Sequence, residues 1–287
     1  MLLKTKKMQT ADQIKEMVKQ KYSEIALQEK TTNASSCCGA TGSCGEVYTI
    51  MADEYKGLEG YHENADLGLG CGLPTQFAKI KEGDVVIDLG SGAGNDCFVA
   101  RAETGASGKV IGIDMTPAMI EKARNNADKM NYNNVEFRLG DIEQLPVAAN
   151  TADVVVSNCV LNLVPDKRKA FLEIARVLKP GGHFSISDIV LTGTLPDKLR
   201  SAAEMYAGCV AGAIQKDEYL QLIKDFGFEN ITLQKEKAII IPDQILSDYL
   251  TADEIATYKS SEMGIFSITV YAEKGSCCKS EKGSSCC

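Results

Sequence analysis

Cysteine is the chemically reactive side chain this sequence uses in excess, with eleven among 287 residues. Three of them stand singly among small residues: Cys71 in "GLGCGLP", Cys159 after "DVVVSN" and Cys209 in "YAGCVAGA". Glycine on either side of a thiol keeps the backbone free and favours a loop that presents the sulfur over a core that packs it. Three thiols from three separated segments can converge on one trigonal soft ion, and coordination favours the deprotonated form. The remainder divide into Cys97 in "NDCF", whose place at a helix start indicates packing, and two terminal groups: Cys37, Cys38 and Cys44, then Cys277, Cys278, Cys286 and Cys287. Adjacent cysteines have Cα atoms about 3.8 Å apart, short of the ~5.5–6 Å a disulfide prefers, so vicinal thiols suit a soft metal or metalloid. No pair of C-x-x-C motifs points to structural zinc. The only histidines, His62 and His183, stand in no metal-hydrolase motif.

The composition narrows the partners. A net charge of -8 and pI near 5.0 repel phosphate backbones and anionic bilayers, so neither nucleic acid nor membrane is expected. The opening "MLLKTKKMQT" lacks a secretory apolar stretch, and no segment approaches a membrane span of about 20 apolar residues. A cytoplasmic protein is expected, in a compartment where structural disulfides are rare.

The thiols need elements to position them. Residues 10–28 carry Ile14, Val18, Tyr22 and Ile25 at helical spacing, with Thr10 and Gln13 forming a capping box. Residues 29–45 are polar, rich in Gly and Ser, and aperiodic, indicating a loop or arm. From residue 83 short β-branched runs ("DVVIDLG", "KVIGID", "NVEFRL", "DVVVSN", "HFSISDIV") alternate with helical stretches such as 166–179, the pattern of βαβ units and a parallel sheet. "NITLQKEKAIII" and "FSITVYAEK" can close it with an antiparallel pair, and the last residues turn to Gly, Ser, Lys and Cys.

The first strand leads into "DLGSGAGND", where Gly90, Gly92 and Gly94 allow a sharp turn and close approach of a ligand, and the second ends in Asp114, an acid able to take both ribose hydroxyls. A dinucleotide fingerprint requires its third glycine where Asn95 stands, and the carboxylate of Asp88 would repel a pyrophosphate but attract an ammonium. This loop, Asp114, "GDIEQLP" at 140–146 and "LKPGGHFSISD" at 178–188 together resemble the S-adenosylmethionine-dependent methyltransferases over residues 80–190. The resemblance implies a Rossmann-like class I methyltransferase fold: α/β, with a mostly parallel seven-stranded sheet and helices on both faces. To this are added an N-terminal helix and arm (1–65) before the core (66–195), C-terminal acceptor-side helices and closing strands (196–274), and a cysteine-rich tail (275–287). It further implies that Gly90, Ser91, Gly92 and Gly94 shape the methionine site, Asp88 orients the amino group, Asp114 with Met115 holds the ribose, and Asp141 with Ile142 meets the adenine.

At the cysteines the resemblance narrows. "GLGCGLP", "GSGAGNDCF", "GIDMT", "SNCVLNLVPDK" and "GCVAGA", spanning residues 67 to about 215, resemble the arsenite methyltransferases. On that likeness Cys71, Cys159 and Cys209 hold trivalent arsenic, with Cys159 and Cys209 the closest ligands, the arsenic is supplied as arsenite or its thiol conjugates, and Asn158 belongs to the cofactor wall. Methyl transfer to an arsenic lone pair needs in-line alignment more than a general base. The product's two-electron reduction is then assigned to thiols, with Cys71 paired to one of Cys37, Cys38 or Cys44 and the disulfide reversed by thioredoxin or another thiol reductant. The family's role is arsenic detoxification. Head and tail cysteines would capture arsenic and pass it inward. The rival readings are a quinone-type small-molecule C-methyltransferase and a non-catalytic metalloid buffer.

Overall fold

The computed structural model describes residues 10–27, 55–200, 208–210, 212–261 and 263–275. Cys37, Cys38, Cys44, Cys277, Cys278, Cys286 and Cys287, and with them the expectations for head and tail, lie outside the described residues.

Five β-branched runs form the parallel part of a single sheet: β1 (Val85–Leu89), β2 (Lys109–Asp114), β3 (Val135–Leu139), β4 (Ala152–Asn158) and β5 (Leu178–Thr192). Two later strands, β6 (Phe228–Ala238) and β7 (Gly264–Lys274), join antiparallel. The order is β3-β2-β1-β4-β5-β7-β6, the mostly parallel seven-stranded arrangement expected. The order reverses between β1 and β4, which pair directly from Val86–Val154 to Leu89–Ser157.

Strand periodicity of two sends alternate residues to opposite faces, and each face is covered. Val86, Val110, Val154 and Val156 pack under α3 (Asn95–Thr104) and α4 (Pro117–Lys129) through Phe98, Ala100, Ile120 and Ala123. Ile87, Leu89, Ile111, Ile113 and Val155 pack under α5 (Lys167–Val177) and α6 (Lys216–Asp225) through Phe171, Ile174, Tyr219 and Ile223. Burial of each such side chain contributes about 1.5–3 kcal/mol, which is why these strands read as near-continuous apolar runs. The edge strand β6 is exposed or half-buried at every position after Phe228 and carries Lys235, Glu236 and Lys237, charges that discourage pairing with another chain.

The N-terminal helix α1 (Ala11–Ala26) starts at the expected box, in which Thr10 and Gln13 cap each other reciprocally. Its Ile25 and Ala26 bury against Leu67, Ala93 and Met119, and Lys122 Nζ donates to the carbonyl of Ala26 at 2.9 Å. The expected helix at 166–179 is shorter: Asp166 caps α5 through the Lys169 amide, and the chain enters β5 at Leu178. The short helix α2 (Pro74–Phe77) follows the Cys71 loop. Among the described residues no helix is long and apolar enough to cross a membrane.

Candidate active site

A cleft of about 1050 Å³, part of it open to solvent, lies beyond the carboxyl ends of β1, β2, β3 and β4, where an open α/β sheet accepts ligands at its order reversal. Its wall takes Gly90, Ser91, Gly92, Ala93, Asn95 and Asp96 from the turn after β1, and Asp114 and Met115 from the end of β2. Asp141 and Ile142 come from the segment after β3, and Asn158, Cys159 and Val160 from the end of β4. The loop after β1 needs its glycines for definite reasons. Gly90 has φ +68°, and a Cβ there would stand 2.4 Å from Val160 Cγ2. Gly94, φ +99°, is the N-cap of α3, and a Cβ there would strike the rings of Phe98 and Phe137. Of the loop residues named from sequence, Gly94 therefore supports the wall from behind while Gly90, Ser91 and Gly92 form it.

Asp114 accepts from the amide of Gly92 at 3.0 Å on Oδ2 and from that of Thr116 at 2.8 Å on Oδ1. Burial raises its pKa and these amides pull it back. A carboxylate oxygen retains further acceptor capacity after one such bond, and Asp114 lies on the cleft wall. Across the cleft Asp141 Oδ2 and Glu143 Oε2 each bind Lys15 Nζ at 2.6 Å. Lys15, Val18 and Tyr22 bring one face of α1 onto the cleft wall.

The acid expected to meet an ammonium is placed elsewhere. Asp88 is 2% exposed, does not reach the cleft wall, and accepts from the Cys97 thiol at 3.2 Å. Burial pushes its pKa well up. Cys97 is fully buried, the packing role its position suggested. On the wall itself stands Asp96, in the first turn of α3, bonded to Tyr55 Oη at 2.8 and 2.9 Å and to Asn158 Nδ2 at 3.2 Å. Burial pushes the Asp96 carboxyl up to about 6 against the pull of those two donors. Asn158 also donates to Tyr55 Oη and the Gly72 carbonyl, and its Oδ1 accepts from the amide of Cys71 at 3.0 Å. One amide thus ties the cofactor wall to the Cys71 loop.

Beside this cleft the three singly placed cysteines meet. All three are free; Cys71 and Cys159 are buried and Cys209 is half-buried. Cys159 has φ +61°, a conformation costly for a residue with a Cβ, held by its amide bond to the Ser187 carbonyl at 2.7 Å. Its thiol is in hydrogen-bond contact with Cys209 and Cys71, and those contacts, with burial, raise its pKa well above the ordinary thiol range. Burial likewise raises that of Cys71, whose carbonyl accepts from Ser267 Oγ at 2.6 Å. Cys209 arrives on a short 3₁₀ turn, Gly208–Val210. Among the described residues no group of three His, Cys, Asp or Glu side chains is placed to hold a metal ion; the thiols here contact one another.

Sequence reasoning missed Tyr55, Asp96 and Lys15, and also Asp188 and Lys167 behind the thiols. Asp96 had a signal, an acid in the "GND" that closes the glycine loop; Tyr55 and Lys15 had none, because long-range folding alone brings them in. His183 lies well inside β5 opposite Val154, where it bonds the Ala78 carbonyl at 2.6 Å and packs on Tyr271. It begins no strand, because β5 starts five residues earlier at Leu178.

The wall fits a nucleoside with an amino-acid tail. Ser91 Oγ and Asn95 Oδ1 are buried polar atoms without a protein partner, both from residues on the cleft wall, and such orphans are explained by a polar ligand. Comparison with known proteins agrees. A family model for a methyltransferase domain matches residues 80–248. The chain is 41% identical over 267 residues to the arsenite methyltransferase of Halobacterium salinarum, covering 86% of this chain and 67% of that one. It is 38% identical over 183 residues to the human arsenite methyltransferase, covering 60% of this chain and 48% of the human protein. The crystal structure of an arsenic(III) S-adenosylmethionine methyltransferase from Chlamydomonas reinhardtii superposes with a TM-score of 0.61 at 33% identity, covering 80% of this chain and 73% of that one. A glycine-rich turn, an acid at the end of β2 and a cleft at the order reversal of a class I sheet, with these relatives, give the conclusion: the chain belongs to the arsenite methyltransferase family of S-adenosylmethionine-dependent methyltransferases.

Proposed function

We propose that this enzyme transfers methyl groups from S-adenosylmethionine to trivalent arsenic held by Cys71, Cys159 and Cys209, and that its cellular role is arsenic detoxification. The observation that carries the reading is the double position of Cys159, which belongs both to the cofactor cleft and to the thiol cluster. When bound, the cofactor supplies an electrophilic sulfonium methyl. Asp114 would hold its ribose, Asp141 and Ile142 its adenine, and Asp96 with the Ser91 and Asn95 oxygens its amino-acid end.

The thiols suit the acceptor in their protonated form. Arsenous acid is uncharged and carries three hydroxyls; each As–S bond forms as one As–O bond breaks, and the thiol proton leaves with the hydroxyl as water. Raised thiol pKa values therefore need no base to correct them. Once arsenic is held on sulfur, Cys159 presents it to the cleft, and alignment supplies the rate as effective molarity. After transfer the arsenic is formally pentavalent, and oxidation of two cysteine thiols to a disulfide would return two electrons to it. Cys71 is the relay thiol in this proposal, and thioredoxin or another dithiol reductant would regenerate it. Its expected partner among Cys37, Cys38 and Cys44 lies outside the described residues.

Cys159→Ser and Cys209→Ser should each abolish arsenite methylation while leaving S-adenosylmethionine affinity, read by calorimetry, nearly unchanged. Loss of cofactor binding in both variants would mean that these cysteines serve packing and not acceptor chemistry.

A further inference from the structure

Cys209 reaches the thiol cluster differently from its two companions. Cys71 is fixed by Asn158 and Ser267, and Cys159 by the Ser187 carbonyl. The Cys209 turn packs through its buried Val210, and further contacts hold the segment that follows it.

Three features do so. Lys167, the first residue of α5, sends Nζ to the carbonyl of Gly212 at 2.8 Å. Gly212 lies flat on the chain at Asn162, so closely that a Cβ would stand 1.8 Å from the Asn162 carbonyl oxygen. The amide of Leu191 in β5 then takes the carbonyl of Ile214 at 2.9 Å. Asn162 is itself anchored by Nδ2 to the Ile189 carbonyl at 2.7 Å.

The lysine is not a chance surface contact. It is largely taken from water, which lowers its pKa, while Asp188 and Glu218 support its charge. Asp188 is fully buried at the inner part of β5 and bonded to Tyr219 Oη at 3.2 Å. A cation largely withdrawn from solvent, supported by a buried acid and donating to a loop carbonyl, makes a charge-assisted bond, stronger than a neutral one and sensitive to the length and charge of the side chain.

We propose that Lys167 is a positioning residue that latches the Cys209 turn, through the Gly212 carbonyl, and so sets whether arsenic is held by three thiols or by two. This rests on the three-thiol reading above. With the latch removed, the first two thiols remain in place and the third is withdrawn, so arsenous acid would retain an oxygen ligand where Cys209 sulfur should be.

The test uses the full chain under reducing conditions, with arsenite as the probe. Lys167→Met and Lys167→Arg are compared with wild type by the number of sulfur neighbours in arsenic X-ray absorption and by direct titration. Wild type should show three sulfurs. Lys167→Met should show two sulfurs and an oxygen, with arsenite affinity reduced about tenfold or more and S-adenosylmethionine affinity unchanged; Lys167→Arg should recover part of the loss. Gly212→Ala, which displaces the same segment from Asn162, should reproduce the pattern and serves if Lys167→Met folds poorly. Three sulfurs and wild-type arsenite affinity in Lys167→Met, or in Gly212→Ala where that serves, would overturn the latch and leave the three-thiol site standing. Fewer than three sulfurs in wild type would overturn both.

Discussion

Replacing Gly90 by alanine tests whether the cleft is built as described, because two separable costs meet at that atom. The backbone there has φ +68°, and holding an L-residue in the left-handed region costs about 1–2 kcal/mol. A Cβ would also stand 2.4 and 2.7 Å from the methyl groups of Val160, an overlap of the kind that costs about 1–3 kcal/mol when neighbours must shift. The turn cannot relax freely, since the amides of Gly90 and Ser91 both donate to the Ile113 carbonyl at 2.7 and 3.0 Å. Gly90→Ala should therefore lower stability by about 2–5 kcal/mol in urea unfolding and weaken S-adenosylmethionine binding more than tenfold in calorimetry. Val160→Ala removes the colliding methyls but not the φ cost. The double variant should recover about 1 kcal/mol or more relative to the sum of the singles, a coupling that only contact produces. Stability of Gly90→Ala within about 0.5 kcal/mol of wild type, or strictly additive singles, would refute the placement of this turn against Val160.

Two further outcomes follow from the acids. Asp114→Ala removes the ribose acceptor and the partner of the Gly92 and Thr116 amides, and should weaken S-adenosylmethionine binding tenfold or more, since bonds to a charged group contribute about 1.5–3 kcal/mol; unchanged affinity in calorimetry would remove it from the site. For Asp96, whose pKa burial raises to about 6, the carboxylate that would face the cofactor ammonium is lost as pH falls through about 6. The dissociation constant should rise several-fold between pH 7 and pH 5, and Asp96→Asn should bind weakly at both with a flat profile; a wild-type profile that is itself flat would contradict the assignment. The sign for folding is opposite. A carboxyl raised from 3.8 to about 6 in the native state keeps its proton longer when folded, so its own contribution makes the native state less stable as pH rises across that interval.

The glycines and β-branched runs made the sheet legible, because each is a local requirement: strand alternation for two covered faces, and left-handed φ values for the turn after β1. Cys71 and Cys209 were legible from the small residues around them, whereas Cys159, after a buried strand, had an ordinary packing reading and stood out by its place at the order reversal and by the other two. Asp88 shows where such reading stops. Its place before the glycine loop suggested an exposed acid, yet β1 carries it into the interior toward Cys97, and Asp96 takes the wall from α3. Residues such as Tyr55, Lys15 and Lys167 act across 41, 126 and 45 positions of sequence respectively, and no local pattern encodes such contacts.

The most direct measurement is arsenic speciation after incubating the full chain with arsenite, methyl-labelled S-adenosylmethionine and a thioredoxin reducing system. The account predicts labelled methylarsenicals from wild type and none from Cys159→Ser at equal cofactor occupancy. Measurable cofactor and arsenite binding without any methylated arsenic, or undiminished methylation by the Cys159 variant, would contradict it.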